Sequence, residues 1–328
     1  MKSLYEDVNW QVLKQTLSNA KKIHVIAHVN PDSDTIGSQL ALYHALTAQG
    51  FHIVMHNIDP VPRICQYLQG SGLITHGEDF SELQGCDTII AVDAGAFGRL
   101  GMASSYVQGK TLINIDHHAS NTLYGDINVV DARYCATGAM IYDLIQSYDL
   151  PMSEAMAAPI YAAVLTDTAS FRLSTVTADT HRMIANLLDA GASVETASHE
   201  IYQNFPKQRF DLLKYALDSL DIQHNGCSAW ISVRYAMYQE TNMSAEDSEG
   251  FIDYARSIAG VCVAVFLREE SPEQWKLSLR GEYPYDVSAV AASLGGGGHK
   301  YAAGCSLEGG FEKVQNQVFE AVGACLQV

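Results

Sequence analysis

Short apolar runs alternate with amphipathic helical patterns through the first half of the chain. Four runs rich in Ile, Val and Thr predict β-strands, at residues 23–29, 52–57, 88–92 and 111–115. After the first run, apolar residues recur every three or four positions from Ile36 to Leu46, which is the spacing of one helix face. Near-continuous apolar strands separated by helices are what a parallel sheet covered on both faces requires. The pattern therefore predicts an α/β first domain with a mainly parallel sheet flanked by helices.

The pattern changes beyond the middle of the chain. Helical periodicity dominates residues 137–203, and a connecting helix is predicted at 208–220. Beyond residue 226, predicted strands at 228–234, 261–268 and 275–280 are mixed with predicted helices at 251–258 and 287–294. A chain of 328 residues is also longer than the ~250–300 at which one core usually splits. We predict a first domain over 1–205, a linker helix over 206–221 and a smaller mixed α/β domain over 222–328.

Composition and charge narrow the function classes. The chain is 48% hydrophobic and 17% charged, which is typical of a soluble globular protein. Its formal net charge of −17 repels polyanions and disfavours a basic-patch nucleic-acid binder, unless some of the acids hold metal cations. The most apolar strand-like run, residues 261–267, is far shorter than the ~20 residues of a membrane span. Seven scattered cysteines without a CxxC pair are typical of reduced thiols, so we expect a cytoplasmic protein with no membrane partner.

Acidic and histidine residues follow the predicted strands of the first domain. Three motifs come directly after strands, namely His28-x3-Asp32-x-Asp34, Asp93 and Asp116-His117-His118, and Asp167 lies near the end of a predicted helix. Ligands of open α/β sheets bind at the carboxyl ends of the strands, so these motifs are expected to converge. Crowded carboxylates are costly unless cations neutralise them. Carboxylate and imidazole donors suit Mn²⁺, Mg²⁺, Fe²⁺ or Zn²⁺, and a set of oxygen and nitrogen donors for two ions favours Mn²⁺ or Mg²⁺.

Each motif alone also has a plainer interpretation. Asp32 and Asp34 precede a predicted helix and fit helix capping, and Asp93 fits a turn before Gly95. The His117-His118 pair fits half-buried polar residues. The joint occurrence of all four motifs, in this order and at these element ends, is what favours a metal site.

With these motifs, the chain resembles the DHH-family phosphoesterases, which are named for the triplet present here as Asp116-His117-His118. Residues 295–304 (GGGGHKYAAG) and 277–280 (LSLR) resemble the DHH-associated C-terminal domain of the exonuclease type. The two-domain layout is similar to the oligoribonucleases of the NrnA type, which also remove the 3′-phosphate of pAp. Phosphodiesterases that act on cyclic di-AMP or pApA share this layout.

The resemblance implies a role for each motif residue. His28 and Asp32 would hold one divalent metal ion, Asp34, His117 and Asp167 a second, and Asp93 would bridge both. Asp116 would orient ligands by hydrogen bonding, and His118 would face the scissile phosphate. The implied cofactors are two ions, Mn²⁺ or alternatively Mg²⁺, with a metal-activated water as the nucleophile. Departures from the family pattern at Ser33, Thr35, Ala169 and Gly281 change no ligand and leave the substrate preference open.

Candidate substrate contacts lie in both domains. Four consecutive glycines let a backbone approach an anion closely, although a flexible hinge or a helix C-cap is the plainer interpretation. In the family this loop contacts the substrate, which implicates Gly296, Gly297, Gly298 and His299. Arg280, just before the loop, and Arg99, shortly after Asp93, are candidate phosphate partners. A solvated strand end is the alternative for Arg280.

The sequence thus predicts a two-metal phosphodiesterase that degrades very short RNA to 5′-mononucleotides and also converts pAp to AMP. A cleft between two hinged domains would favour RNA of about two to five nucleotides. The expected partners are short RNA or a dinucleotide and pAp, with a homodimer left open. The nearest alternative is a cyclic di-AMP or pApA phosphodiesterase. An alternative of another class is a non-catalytic nucleotide- or RNA-binding module, which the presence of every expected ligand disfavours.

Overall fold

A computed structural model of the chain describes residues 4–5 and 10–326, except the side chains of Glu82 and His299. The chain divides into two compact units, Met1–Asn204 and Phe205–Val328. In the part of the chain described, no helix has both the length and the apolar character needed to cross a membrane.

The first unit is built on a parallel sheet. Its strands are β1 (Ile23–Ile26), β2 (Ile53–Asn57), β3 (Thr75–His76), β4 (Thr88–Val92), β5 (Thr111–Asp116) and β6 (Ile127–Val130), in the order β3-β2-β1-β4-β5-β6 with every pair parallel. The predicted parallel sheet is confirmed. The strand predicted at 23–29 ends early, because the amide of Ala27 donates to the side chain of Asn57 (2.9 Å) and leaves the ladder.

Most helices of this unit share one hydrophobic core with the sheet. The helices of the unit are α1 (Trp10–Leu17), α2 (Ser33–Ala48), α3 (Ser104–Val107), α4 (Thr137–Ser147), α5 (Glu154–Asp167), α6 (Ala178–Asp189) and α7 (Val194–Ser198). The main core includes Ile36 and Leu40 of α2 and Ile160 of α5. Helices α2 and α5 approach closely at Gly37, where a Cβ atom would lie 3.0 Å from that of Ala163 and overlap a backbone carbonyl of α5. This close packing positions the two helices that carry Asp34 and Asp167.

The second unit is smaller and has a mixed sheet. Its elements are α8 (Lys207–Asp218), β7 (Asp221–Gln223), β8 (Ser228–Val233), α9 (Tyr235–Thr241), α10 (Ile252–Arg256), β9 (Val263–Ser271), β10 (Gln274–Gly281), α11 (Val287–Ser293), β11 (Gly297–His299), β12 (Ala302–Glu308) and α12 (Phe311–Leu326). The strand order is β11-β12-β10-β9-β8-β7, in which only the β8–β9 pair is parallel. The predicted smaller mixed α/β domain is confirmed.

The segment predicted as a separate linker, residues 206–221, forms part of the second unit. Leu212, Leu213 and Ala216 of α8 are buried in a cluster with β8 and β9. Burial of these apolar side chains stabilises α8 against the sheet, so this helix is not an isolated connection. The division of function between the two domains stays a prediction.

Candidate metal centre

The polar motifs of the first unit meet at one edge of its sheet. His28 follows β1, Asp93 follows β4, and His117 follows β5. These three strands are neighbours, so their carboxyl ends bring the motifs together. Asp32 caps α2, where its Oδ1 accepts a hydrogen bond from the amide of Thr35 (3.0 Å). The capping interpretation of Asp32 is therefore correct, and the cap lies beside the other motif residues.

Asp93 lies at the centre of the arrangement. Its Oδ2 is 3.6 Å from Nε2 of His28, and its Oδ1 is 3.8 Å from Nε2 of His117. His28 Nε2 is also 3.9 Å from Oδ2 of Asp32. His117 Nε2 is 3.8 Å from Oδ2 of Asp34 and 3.5 Å from Oδ2 of Asp167. The structure thus brings together all six residues that the sequence predicted as metal ligands.

These spacings suit cations held between the side chains. Among the described residues, three groups of side chains could each hold one metal ion, because the donor atoms inside each group lie within 4.8 Å of one another. The groups are His28, Asp32 and Asp93; Asp34, His117 and Asp167; and Asp93, His117 and His118. Two ligands of one Mg²⁺-sized ion are about 3 Å apart when adjacent and about 4 Å apart when opposite in an octahedron. The observed distances fall in this range. Asp93 belongs to two of the groups, which is the position of a bridging ligand.

The electrostatics of the cluster favour a cation. Burial raises the pKa of Asp34 well above its usual value, and the charges of Asp93 and Asp167 raise it further. Burial and the charges of Asp93 and Asp32 likewise raise the pKa of Asp167. Burial also acts to raise the pKa of Asp93, but its contacts with the surrounding histidines outweigh burial and hold that pKa low. Ionising all three carboxylates is therefore costly unless positive charge lies between them.

Asp116 and His118 form a hydrogen-bonded pair beside this cluster. Nδ1 of His118 lies 2.7 Å from Oδ1 of Asp116, and the Asn121 side-chain amide donates to the other carboxylate oxygen at 2.5 Å. Burial lowers the pKa of His118, but Asp116 and Asp93 outweigh it and raise that pKa to about 9. The buried carboxylate of Asp116 thus fixes the ring of His118 and favours its protonated form.

Several residues that support the centre were not predicted. Thr35 Oγ1 donates to Oδ2 of Asp93 (2.7 Å), and Thr137 Oγ1 donates to Oδ1 (3.0 Å). At the start of α4, the amides of Thr137 and Gly138 donate to the carboxylate of Asp34 at 2.7 and 2.8 Å. Thr35 stood out in the sequence only as a departure from the family pattern. For Thr137 and Gly138 the sequence carried no signal, because they lie more than a hundred residues from Asp34.

Arg99 lies next to the centre. Its Nη2 is 3.2 Å from Nδ1 of His28, and its carbonyl accepts a hydrogen bond from the amide of Val29 (2.7 Å). The side chain is exposed. The structure thus places a solvent-accessible guanidinium at the edge of the acidic cluster, and its role as a substrate contact stays a prediction.

The other predicted substrate contacts lie in the second unit. Arg280 of β10 pairs with Ala302 of β12, and Ala302 pairs on its other side with His299 of β11. Arg280 is half-buried and donates to the carbonyl of Leu279 (3.1 Å), and burial lowers the pKa of its guanidinium. Arg280 is thus partly shielded from solvent, and its role as a substrate contact stays a prediction. The side chain of His299 lies outside the described residues.

The sequence predicted a loop for the glycine-rich segment, but part of this segment is a strand. Gly297–His299 form the strand β11, and Gly296 directly precedes it. A Cβ atom at Gly298 would lie 2.6 Å from the carbonyl oxygen of Ala302, and one at Gly296 would overlap the carbonyl of Gly304. Gly298 also has a φ of +142°. Glycine is therefore required here for the close approach of β11 to β12, independently of any ligand.

Comparisons with known proteins agree with these motifs. Residues 22–166 match the DHH family, N-terminal domain, and residues 231–327 match the DHHA1 domain. The bifunctional oligoribonuclease and PAP phosphatase NrnA of Thermus thermophilus is 33% identical over 301 residues, covering 92% of this chain and 89% of that protein. The protein of the same name from Bacillus subtilis is 24% identical, covering 90% and 92%.

Solved structures extend the likeness to the whole chain. An exopolyphosphatase-related protein from Bacteroides fragilis superposes with a TM-score of 0.90 at 27% identity, covering 99% of this chain and 100% of that one. RecJ from Thermus thermophilus, in complex with Mn²⁺, gives a TM-score of 0.57 at 12% identity and covers 97% of this chain and 54% of that one. At this identity, the likeness to RecJ shows a shared fold.

Proposed function

This chain belongs to the DHH family of phosphoesterases and is a hydrolase, and we propose that it degrades very short oligoribonucleotides to 5′-mononucleotides and also removes the 3′-phosphate of pAp. The relatives named as bifunctional oligoribonuclease and PAP phosphatase support this choice of substrates, since they align with about nine-tenths of the chain. The shared layout of two domains supports it further.

The observation that carries the proposal is the pair of donor groups formed by His28, Asp32 and Asp93 and by Asp34, His117 and Asp167. Oδ1 of Asp93 in the first group lies 3.8 Å from Nε2 of His117 in the second. We assign His28 and Asp32 to one divalent cation, Asp34, His117 and Asp167 to a second, and Asp93 to both. Oxygen and imidazole donors without sulfur favour Mn²⁺, with Mg²⁺ as the alternative. Divalent cations bound there would supply Lewis-acid charge and lower the pKa of bound water.

The remaining residues of the centre are proposed to hold the substrate and its charge. His118, whose protonated form Asp116 favours, is suited to contact a phosphate oxygen, and Arg99 offers a positive charge at the same edge. In the second unit, Arg280 is assigned to a substrate phosphate. β11 is the edge strand of its sheet, so part of its backbone N–H groups point away from β12 and are suited to an anion.

A substrate panel tests the proposal. Chelator-stripped protein is reloaded with Mn²⁺ and assayed on pGpG, pApA, pAp and cyclic di-AMP. We expect mononucleotides from the linear dinucleotides and AMP from pAp. Selective turnover of cyclic di-AMP or pApA would support the cyclic-dinucleotide alternative, and no turnover on any of the four would contradict the enzyme assignment for these substrates.

Substitution of Asp93 tests the metal assignment. Asp93→Ala removes the proposed bridging ligand and is expected to abolish both turnover and Mn²⁺ binding, with the circular dichroism spectrum of the folded protein retained. Asp189→Ala, at an exposed position at the end of α6, is the matched control and should leave both unchanged. Full activity of Asp93→Ala would refute the two-metal assignment.

Substitution of Arg280 tests the substrate assignment. Arg280→Ala removes a half-buried guanidinium and should chiefly raise KM for pAp, because the metal cluster stays intact. The control is Arg182→Ala, which removes an exposed guanidinium paired with Asp179. An unchanged kcat/KM for Arg280→Ala would show that this residue does not bind the substrate.

A further inference from the structure

A chain of hydrogen bonds leads from His117 to the backbone amides of Leu4 and Tyr5. We infer that Tyr134 and Asp143 are positioning residues that set the orientation of the His117 ring for metal binding. This inference rests on the proposed function, because it takes His117 to be a metal ligand. Neither residue belongs to the sequence motifs.

The first link joins His117 to the turn before α4. Nδ1 of His117 lies 3.3 Å from the carbonyl oxygen of Tyr134. An imidazole that donates through Nδ1 keeps the lone pair of Nε2 free for a metal ion. Nε2 is the atom that lies within 4 Å of Asp34, Asp93 and Asp167. The Tyr134 carbonyl thus selects the tautomer and ring orientation that ligation needs.

The second link fixes Tyr134 itself. Its hydroxyl donates to Oδ2 of Asp143 at 2.6 Å, which is typical of a strong bond between a hydroxyl and a carboxylate. Both side chains are buried, with Tyr134 1% and Asp143 0% exposed. The same turn is tied to β5, because the amide of Asp131 donates to the carbonyl of Asp116 (3.1 Å). The turn therefore has little freedom to move relative to His117.

The third link satisfies the buried carboxylate. The amide of Leu4 donates to both oxygens of Asp143 (2.7 and 2.9 Å), and the amide of Tyr5 donates to Oδ2 (3.2 Å). The Tyr5 hydroxyl donates to the carbonyl of Arg133 (2.9 Å), and its ring packs edge-on against Tyr134. A buried carboxylate is stable only with such donors, so this segment holds Asp143 in place to accept from Tyr134.

Tyr134→Phe tests this role, with Tyr142→Phe as the matched control. Both residues are buried tyrosines, but the Tyr142 hydroxyl accepts a hydrogen bond from Asn186 (3.0 Å). Mn²⁺ is titrated calorimetrically into chelator-stripped protein. Tyr134→Phe should weaken Mn²⁺ binding by up to about tenfold, the lower end of the range for disturbing the partner of a ligating histidine. Tyr142→Phe should leave Mn²⁺ affinity unchanged.

Activity and stability complete the test. With Tyr134→Phe, pAp hydrolysis should require more Mn²⁺ yet approach the wild-type kcat at saturation. Asp143→Asn should change Mn²⁺ affinity in the same direction. Wild-type affinity in Tyr134→Phe, or an equal loss in Tyr142→Phe, would overturn the inference. A wild-type protein that binds neither Mn²⁺ nor Mg²⁺ would overturn the proposed function as well, so the two failures are distinguishable.

Discussion

Asp93 is held by two threonine hydroxyls, which fix its carboxylate between the two donor groups. Thr35 Oγ1 lies 2.7 Å from Asp93 Oδ2 and 3.1 Å from Asp32 Oδ1. This hydroxyl therefore orients carboxylates on both sides of one proposed ion. Asp93 itself has a φ of +58°, an uncommon conformation for a residue other than glycine, and such strain is often found at functional sites.

Thr35→Val should weaken Mn²⁺ binding by about tenfold, because groups that hydrogen-bond to metal ligands typically contribute at least this much. The substitution keeps the shape of the side chain and removes only the donor. Calorimetric titration with Mn²⁺ measures the effect. Thr16→Val is the control, since the Thr16 hydroxyl donates to the carbonyl of Val12 in α1 (2.9 Å). Equal Mn²⁺ affinity in the two variants would contradict the prediction.

His24 of β1 makes the fold sensitive to acid. It is fully buried, its Nε2 lies 2.9 Å from the carbonyl of His56, and burial lowers its pKa to about 4. In the unfolded chain its pKa is near ~6.5. Between these two pH values His24 is protonated in the unfolded chain but neutral in the folded protein. The free energy of unfolding therefore decreases as pH falls from about 6.5 towards 4. The loss is on the order of 3 kcal/mol.

His24→Gln should make the free energy of unfolding less dependent on pH in this window. Urea denaturation between about pH 7 and pH 4 measures that dependence for the wild type and the variant. His52→Gln, at an exposed position, is the control and should keep the wild-type slope. The same slope in wild type and His24→Gln would show that His24 does not contribute.

At the scale of elements, the contact between α2 and α5 determines how close Asp34 lies to Asp167. The helical periodicity predicted both helices, but periodicity does not reveal which helices touch. The contact depends on small residues. A Cβ atom at Gly37 would lie 3.0 Å from Ala163 Cβ, and one at Gly138 of α4 would lie 2.6 Å from the same atom. The Ala163 side chain thus packs between Gly37 of α2 and Gly138 of α4. These two helices carry or hydrogen-bond Asp34 of the metal centre.

Gly37→Ala should destabilise the protein by about 1–3 kcal/mol, the usual cost of overpacking a core. Because α2 must shift away from α5, Mn²⁺ affinity should fall as well. Urea denaturation and calorimetry check the two effects. Gly72→Ala is a matched control, since a Cβ atom there meets nothing within 4 Å. Loss of stability without loss of Mn²⁺ affinity would show that the α2–α5 contact does not position the centre.

At the scale of the molecule, the net charge of −17 has a different meaning once the acids are located. Asp34 and Asp93 are buried in the cluster, and Asp167 is half-buried beside them. Cations bound there would offset this local charge, while the remaining acidic surface still repels long polyanions. The charge is therefore compatible with short nucleotide substrates and disfavours tight binding of long strands.

Mn²⁺ should raise the melting temperature of the chelator-stripped protein. A ligand at a hundredfold excess over its Kd stabilises the folded state by about 3 kcal/mol. Asp167→Asn should melt at a higher temperature than wild type without metal, because burial and the charges of Asp93 and Asp32 raise the pKa of Asp167 and make its ionised form costly. The same variant should respond less to Mn²⁺.

Thermal unfolding with EDTA and with Mn²⁺ measures both parts of this prediction. Asp189→Asn, at an exposed position, should behave as the wild type in each condition. A metal-free Asp167→Asn protein that melts below the wild type would indicate that the carboxylate stabilises the fold by itself. A full Mn²⁺ response in Asp167→Asn would remove this residue from the proposed ligands.

The sequence alone determined the parallel sheet and the convergence of its polar motifs. Apolar runs separated by helical patterns require a sheet buried on both faces, and the carboxyl ends of parallel strands share one edge. His28, Asp93 and His117 could therefore be expected together from their positions after β1, β4 and β5. Their roles as ligands stay a prediction.

The tertiary structure decided which groups support these residues. Thr137, Tyr134 and Asp143 hold Asp93 and His117 through contacts between segments distant in sequence, which no local pattern encodes. It likewise decided that Gly297–His299 form an edge strand, because β11 exists only through its pairing with β12. Strand patterns and motif order are local properties of the chain, whereas hydrogen-bond partners and close approaches depend on how distant segments pack.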